Sequence, residues 1–418
     1  MGKRLTVIGL IETAMLVTAG SVLAAEPTTV EAAAAKAIVR GRWNLVVTVT
    51  VEKTDPSGEK KTNTWTHPAW LAIEGQGGRH VGRFLGGAGS VHPIGEVKVD
   101  GARVEFNAGD HKWVGTVEGD TITGTWEKGQ EKATWRGKRA VPKTDVAGTW
   151  TIKPLGTPIE RPAVVELTQA DRQIAGTYKE GDKKYNITDG VANAGIVRFN
   201  VELPSGKKTF GAAVKGDLLD DGMILTQPSK LGGSFKGYRQ RQWGEPVELF
   251  NGKDLSNWEQ FGDLKNKNWK VVDGIMTTTG GANIVSKEKF RDFRMHVEFM
   301  VPSGGNSGVY LRGRHEIQVS DSIGSTPPSW HDCGALYSRI APGVNACKKA
   351  DTWQTFDILM INNYVTVVFN GQIIIDSEEV EGITGGMLDS NEDEPGPIYL
   401  QGDHGKISYR KITVWPAK

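Results

Sequence analysis

Short runs of alternating apolar and polar residues, broken by glycine-containing turns, most narrow the folds open to this chain. Trp43, Leu45, Val47, Val49 and Val51 alternate with mostly polar partners, the pattern of a strand buried on one face. Residues 114–126 give strand, Gly119-Asp120 turn, strand. The same texture recurs near the end, where residues 409–415 alternate again, and no long amphipathic helix interrupts it. Glycine agrees: there are 53 in 418 residues, against an average usage of roughly 7 %. They lack the three-residue period of collagen. The expectation is an all-β protein with many tight turns.

The charge balance excludes several classes. Lys and Arg number 50 against 49 Asp and Glu, a net charge of +1. That fits neither a globally basic nucleic-acid binder nor a disordered chain. The N-terminal part is nevertheless basic and the part after residue 244 acidic. A basic surface could hold anionic glycans, although an ordinary solvated surface is the simpler reading. Residues 1–25 have the form of an export signal: Lys3 and Arg4, an apolar run over 5–23 interrupted by Glu12, then Ala24 and Ala25. The mature protein is therefore expected to be periplasmic or secreted, with no later apolar run of about 18 residues to span a membrane. Residues 26–37 are an Ala-rich linker. Two cysteines are too few for a disulfide scaffold or a four-thiolate zinc site. Cys333 and Cys347, 14 apart, are expected to close one local disulfide in an oxidising compartment.

Two similar segments follow the linker, residues 38–140 and 145–242. Gly41-Arg42-Trp43 opens the first and Gly148-Thr149-Trp150 the second. Gly119-Asp120 corresponds to Gly216-Asp217, and Trp135-Arg136-Gly137-Lys138-Arg139 to Phe235-Lys236-Gly237-Tyr238-Arg239. Shared order points to a divergent duplication of an antiparallel β-meander or barrel. The Gly-x-Trp openings resemble those of lipocalin-type barrels. His67, His80, His92 and His111 are scattered, and neither copy gathers a catalytic cluster.

From residue 246 to 418 the strands change character. Residues 297–299, 308–312, 316–319, 356–361 and 364–369 are short alternating strands; Asn370-Gly371 signals a type I′ hairpin into Ile373-Ile374-Ile375. Two packed sheets are expected. Alternation turns Val309, Leu311, Ile317 and Val319 inward and Tyr310, Arg312, Glu316 and Gln318 outward on one face. An aromatic ring with planar polar groups suits a sugar; an Arg312–Glu316 surface ion pair is the alternative.

Leu249-Phe250-Asn251-Gly252-Lys253-Asp254-Leu255-Ser256-Asn257-Trp258 resembles the opening motif of the 3-keto-disaccharide hydrolase family. Gly305-Asn306-Ser307-Gly308-Val309-Tyr310-Leu311-Arg312, Glu316-Ile317-Gln318-Val319, Gly334-Ala335-Leu336-Tyr337, Asn345-Ala346, Trp353, Asn370-Gly371 and the stretch from Gly396 to Gly405 follow in the family's order, over residues 246–416. The resemblance implies a concanavalin-like β-sandwich, or jelly roll, that cleaves glycosides already oxidised at sugar carbon 3. A ketone there acidifies the carbon 2 proton; a base removes it, the group on carbon 1 leaves, and water adds back. An ordinary sandwich glycanase would carry Glu-x-Asp-x-x-Glu, and Gln318 breaks that pattern.

The candidate bases are His404, in Leu400-Gln401-Gly402-Asp403-His404-Gly405, and Glu316, with His331 third. Arg312, Gln318 or a bound cation would hold the enolate charge. Asn306, Tyr310, Gln318, Trp330, Asp332, Tyr337 and Gln401 are candidate substrate contacts. A divalent cation is the one cofactor left open, at the acidic loop 389–394 or among Glu316, His331, Asp332 and His404. No dinucleotide fingerprint follows a strand, so oxidation at carbon 3 would belong to a separate sugar 3-dehydrogenase. The alternatives are a non-catalytic, lectin-like carbohydrate-binding protein or a cell-envelope scaffold.

Overall fold

The computed structural model describes residues 39–418 apart from 77, 142–143, 156–162, 194, 205, 216–220, 227–233, 240 and 263–267. The expected signal, the linker and the Gly216-Asp217 pair lie outside the described residues. All the described elements are strands, arranged as three bodies each around its own apolar core.

The first body is a nine-stranded antiparallel sheet over residues 41–139. Its first strand, Gly41–Thr54, lies between Lys60–Gln76 and Glu131–Arg139, so the two ends of this segment meet in the middle of the sheet. The second, over residues 148–239, is an eight-stranded closed barrel in simple meander order. The predicted alternation holds: Trp43, Leu45, Val47, Val49 and Val51 are all buried.

Both bodies close in the same way. The Trp43 indole N–H donates to the Val39 carbonyl (3.3 Å), and Trp150 does the same to Val146 (2.9 Å). The last strand returns an arginine onto each indole, Arg139 over Trp43 at 4.2 Å and Arg239 over Trp150 at 4.7 Å. Each arginine also donates to the carbonyl just before the opening glycine, that of Arg40 or Ala147. Gly41 and Gly148 have φ of 131° and 121°. A Cβ on Gly41 would lie 2.7 Å from the Arg139 guanidinium, so glycine is required where the arginine crosses.

The third body is a sandwich of an eight-stranded and a five-stranded sheet. The type I′ hairpin forms where expected, with Asn370 and Gly371 at φ of 50° and 82° between paired Phe369 and Gln372. The five-stranded sheet runs in the order Trp258–Phe261, Asn283–Phe290, Gly396–Leu400, Asn306–Leu311, His315–Ser320. Val309, Leu311, Ile317 and Val319 face the core between the sheets. Residues 334–337 extend this sheet by one short bridge, Leu336 opposite Ile317.

The first body docks on the sandwich through Trp70. That ring is fully buried in a small cluster with Leu85, Ile383 and Met387. Arg339 lies over it at 4.1 Å, and Arg83–Glu381 and Arg42–Glu379 ion pairs, both 2.7 Å, flank it. The barrel meets the sandwich elsewhere: the Asp145 N–H donates to Asn362, and Arg241 pairs with Asp292 at 3.1 Å. Among the described residues no helix is long and apolar enough to cross a membrane.

Candidate active site

Register brings the predicted residues together. Tyr399, Tyr310 and Glu316 are directly opposed across three adjacent strands. The Tyr337 N–H donates to the Glu316 carbonyl (2.9 Å), placing Tyr337 next in the same row. Directly opposed residues of antiparallel strands project to the same face, so Tyr399, Tyr310, Glu316 and Tyr337 form one line across the sheet. A second line runs beside it through Gln401, Gly308 and Gln318.

Within this face the side chains interlock. The Tyr310 and Tyr399 rings stack at 4.3 Å. The Tyr310 hydroxyl lies 2.9 Å from Glu316 Oε2 and 2.8 Å from the Gly385 carbonyl. One hydroxyl proton cannot serve both acceptors, but both contacts are satisfied when Glu316 is protonated and itself donates to the tyrosine oxygen. Burial agrees, pushing the Glu316 carboxyl up to about 8. Gly308 leaves room for the acid: a Cβ there would stand 2.4 Å from Glu316 Oε1. With its nitrogen turned toward Glu316, the Gln318 amide donates to Oε1 and to the Ser307 carbonyl, both at 3.0 Å. Asn306 is the other partner of that amide, at 3.2 Å.

His404 stands at the edge of the face, about half exposed, with Nδ1 2.6 Å from Asp403 Oδ1. The Asp403 hydrogen bond raises the imidazole above its ordinary 6.5 and holds the Asp403 carboxyl down. Asn283 positions this pair, donating to Asp403 Oδ2 (3.2 Å) and accepting the Gly402 N–H (2.7 Å). The charges of His404 and Asp403 both act on Glu316. A paired histidine and a buried, protonated acid thus share one face, with Nε2 of His404 left for a substrate. The Gln401 amide oxygen is buried without a hydrogen-bond partner among the described residues.

Several expectations need correction. Arg312 does not join the face. The chain turns there, with Arg312 and Gly313 at φ of 54° and 70°, which ends the strand alternation. Its guanidinium is buried against Asp292 (3.0 Å) and the Arg291 carbonyl (2.5 Å). The face is also less exposed than expected, since Tyr310, Glu316 and Gln318 are each at most 5 % exposed; the Gly385 carbonyl meets the Tyr310 hydroxyl, and Thr384 Oγ1 accepts the Glu316 N–H. Asp332 serves its own loop, accepting from Ser325 Oγ (2.7 Å) and the Ser329 N–H (2.5 Å).

His331 and Trp330 are exposed at the far rim, the His331 ring tilted against Tyr337 with centroids 5.3 Å apart. Cys333 and Cys347 are free thiols rather than a disulfide. The neighbouring Cys333 thiol pushes that of Cys347 down to about 6. In the acidic loop, Arg314 holds Asp389 through two hydrogen bonds of 2.6 and 3.0 Å. Among the described residues no three His, Cys, Asp or Glu are grouped to hold a metal ion.

Sequence reasoning did not assign Asp403 or Asn283. Asp403 adjoins His404 and was legible as its partner; Asn283 lies 120 positions away, with no local signal. Other cavities lie elsewhere. One of about 430 Å³ sits between the first body and the barrel, and one of about 810 Å³ on the threonine-lined outer face of the first body. Neither gathers a base beside a buried acid, so the tyrosine–glutamate face is the stronger candidate.

Comparison with known proteins finds similarity over the sandwich. Residues 245–415 match the family described as 3-keto-alpha-glucoside-1,2-lyase-like domain. A curated 3-keto-disaccharide hydrolase of Bacteroides thetaiotaomicron is 27 % identical over 90 residues, which are 19 % of this chain and 31 % of that protein. The match thus spans about a third of the curated relative's length. Two Parabacteroides distasonis proteins of known structure, both assigned as glycosyl hydrolases, align with 41 % of this chain. One is 31 % identical over 84 % of its length with a TM-score of 0.37, the other 20 % over 94 % with 0.34.

Proposed function

Because residues 245–415 belong to the 3-keto-alpha-glucoside-1,2-lyase-like family, we propose that this glycosyl-hydrolase-like protein cleaves 3-keto-glycosides by elimination and hydration. His404, oriented by Asp403, takes the proton from carbon 2. The freed electron pair forms the enolate of the carbon 3 ketone. The carbon 1–oxygen bond then breaks, and protonated Glu316 gives its proton to the departing oxygen. Water adds across the resulting double bond, hydroxyl to carbon 1 and hydrogen to carbon 2. The sum is hydrolysis, with no net oxidation. Gln401 and Asn306 would hydrogen-bond sugar hydroxyls. The ketone itself must be made by a separate sugar dehydrogenase, and residues 1–25 favour action outside the cytoplasm.

The observation that carries this reading is that the Asp403–His404 pair follows the strand whose Tyr399 stacks on Tyr310, the tyrosine that meets the buried Glu316 carboxyl. Incubation in D₂O with a 3-keto-glucoside and with its unoxidised parent tests it. The keto substrate alone should release its aglycone, and the sugar product should carry deuterium at carbon 2. Equal cleavage of the parent, or product without that deuterium, would overturn the mechanism. Sugar affinity without turnover would favour a binding module.

A further inference from the structure

The loop over residues 86–91 belongs to the first body, yet it ends at the sandwich site. The Ser90 hydroxyl lies 3.3 Å from His331 Nε2 and 3.4 Å from the Tyr337 hydroxyl. The next residue's N–H, that of Val91, donates to Ser338 Oγ at 2.8 Å. Gly89 packs so closely on the sandwich that a Cβ at Gly385 would fall 2.0 Å from its carbonyl oxygen. Gly385 is the residue whose carbonyl meets the Tyr310 hydroxyl, and Tyr310 meets Glu316. Contact is therefore continuous from the N-terminal loop to the buried acid. The loop is also held from behind, where Trp70 fills a niche against Gly382 that leaves no room for a Cβ (2.2 Å).

The strand order supplies a direction. His404 and Asp403 follow the Gly396–Leu400 strand. Glu316 lies two strands on, and Tyr337 with His331 one step beyond it. Neighbouring strands are about 4.8 Å apart. A sugar whose carbon 2 faces His404 and whose carbon 1 oxygen faces Glu316 would direct its leaving group toward Tyr337, His331 and Ser90. Trp330, 53 % exposed and edge-on to His331 at 6.0 Å, offers a ring face there.

We propose that the N-terminal nine-stranded body completes the leaving-group subsite of the sandwich. Its 86–91 loop forms the far wall, and Ser90 is the positioning residue for the His331 ring. The subsite takes a second ring, a sugar or an aromatic, so substrates of disaccharide size are favoured over those with a small leaving group. This rests on the 3-keto-glycoside reading for its kinetics but not for the contact itself.

Ser90→Leu and Ser90→Thr in the full chain test the proposal with a 3-keto disaccharide and a methyl 3-keto-glucoside. Ser90→Leu should raise KM for the disaccharide about tenfold and change the methyl substrate less than about twofold, with kcat little altered. Ser90→Thr, which keeps the hydroxyl, should restore the disaccharide KM. Equal effects on both substrates, or none, would overturn the subsite.

Modification of His331 by diethyl pyrocarbonate, read by peptide mass spectrometry, is independent of turnover. The disaccharide should protect His331 and the methyl glucoside should not, while Ser90→Leu should change the unprotected rate. If neither substrate is cleaved, the catalytic reading fails and this arm alone decides the subsite. An unchanged rate without selective protection would then overturn it.

Discussion

At the scale of single residues, two groups control how the site responds to pH. Glu316 titrates near 8 in the fold against an ordinary 4.5. The folded chain therefore keeps a proton that the unfolded chain releases between those values. The stabilisation from this group is full below about 4.5 and is lost as pH rises to about 8, at roughly 1.4 kcal/mol for each pH unit between the two values. Buried Glu392, raised to about 7, acts in the same direction. Glu316→Gln should therefore reduce, without abolishing, the fall in Tm from pH 5 to 8.5; an unchanged slope would show that Glu316 is ionised in the fold.

The catalytic profile should be a bell, its acid limb set by His404 above 6.5 and its alkaline limb by Glu316 near 8, as macroscopic values of a coupled pair. Asp403→Asn removes the carboxylate charge, and with it the charge-assisted hydrogen bond, that raises His404. Its acid limb should move to lower pH and kcat fall by about 10- to 100-fold, and a pH–rate series checks both.

At the scale of elements, the site depends on strands paired closely enough for one to lend space to the next. Gly308 stands opposite Gln318 and leaves a gap that the Glu316 carboxyl fills from the adjacent row. Gly308→Ala should push that carboxyl off Tyr310, cost about 1–3 kcal/mol, and lower kcat at least about tenfold. Gly211→Ala, on a barrel strand outside the sandwich, is the control and should leave activity unchanged. Equal activity in the two variants would separate Glu316 from the chemistry. The hairpin at Arg312-Gly313 shows the limit of alternation as a guide. Its positive φ values swing Arg312 away from Tyr310, although the two residues are only two apart.

At the scale of the whole molecule, the first body is held to the sandwich by one buried ring, flanking ion pairs and the contacts of loop 86–91. Trp70→Ala should cost about 3–5 kcal/mol, in the range of large-to-small core changes. It should also uncouple the two bodies, giving separate calorimetric transitions and a raised KM for disaccharide-sized substrates. A single transition at the original Tm would show that the docking does not depend on Trp70. The barrel, by contrast, meets the sandwich at Asn362 and Asp292, where Arg312 is also bound.

What the sequence determined by itself is local. Period-two alternation placed Tyr310, Glu316 and Gln318 on one face, and Asn370-Gly371 placed a hairpin, because side-chain direction and turn geometry belong to a strand and its own residues. The paired Gly-x-Trp openings likewise marked two bodies that close alike. Tertiary structure decided everything that depends on what lies across a gap in sequence. It drew Arg312 to Asp292, set Asn283 behind Asp403, and left Cys333 and Cys347 as neighbouring thiols. It also brought Ser90 to His331 across 241 positions. Above all it buried Glu316. A carboxyl's acidity is set by the atoms that replace its water, and those atoms come from distant strands and loops whose approach no local pattern records.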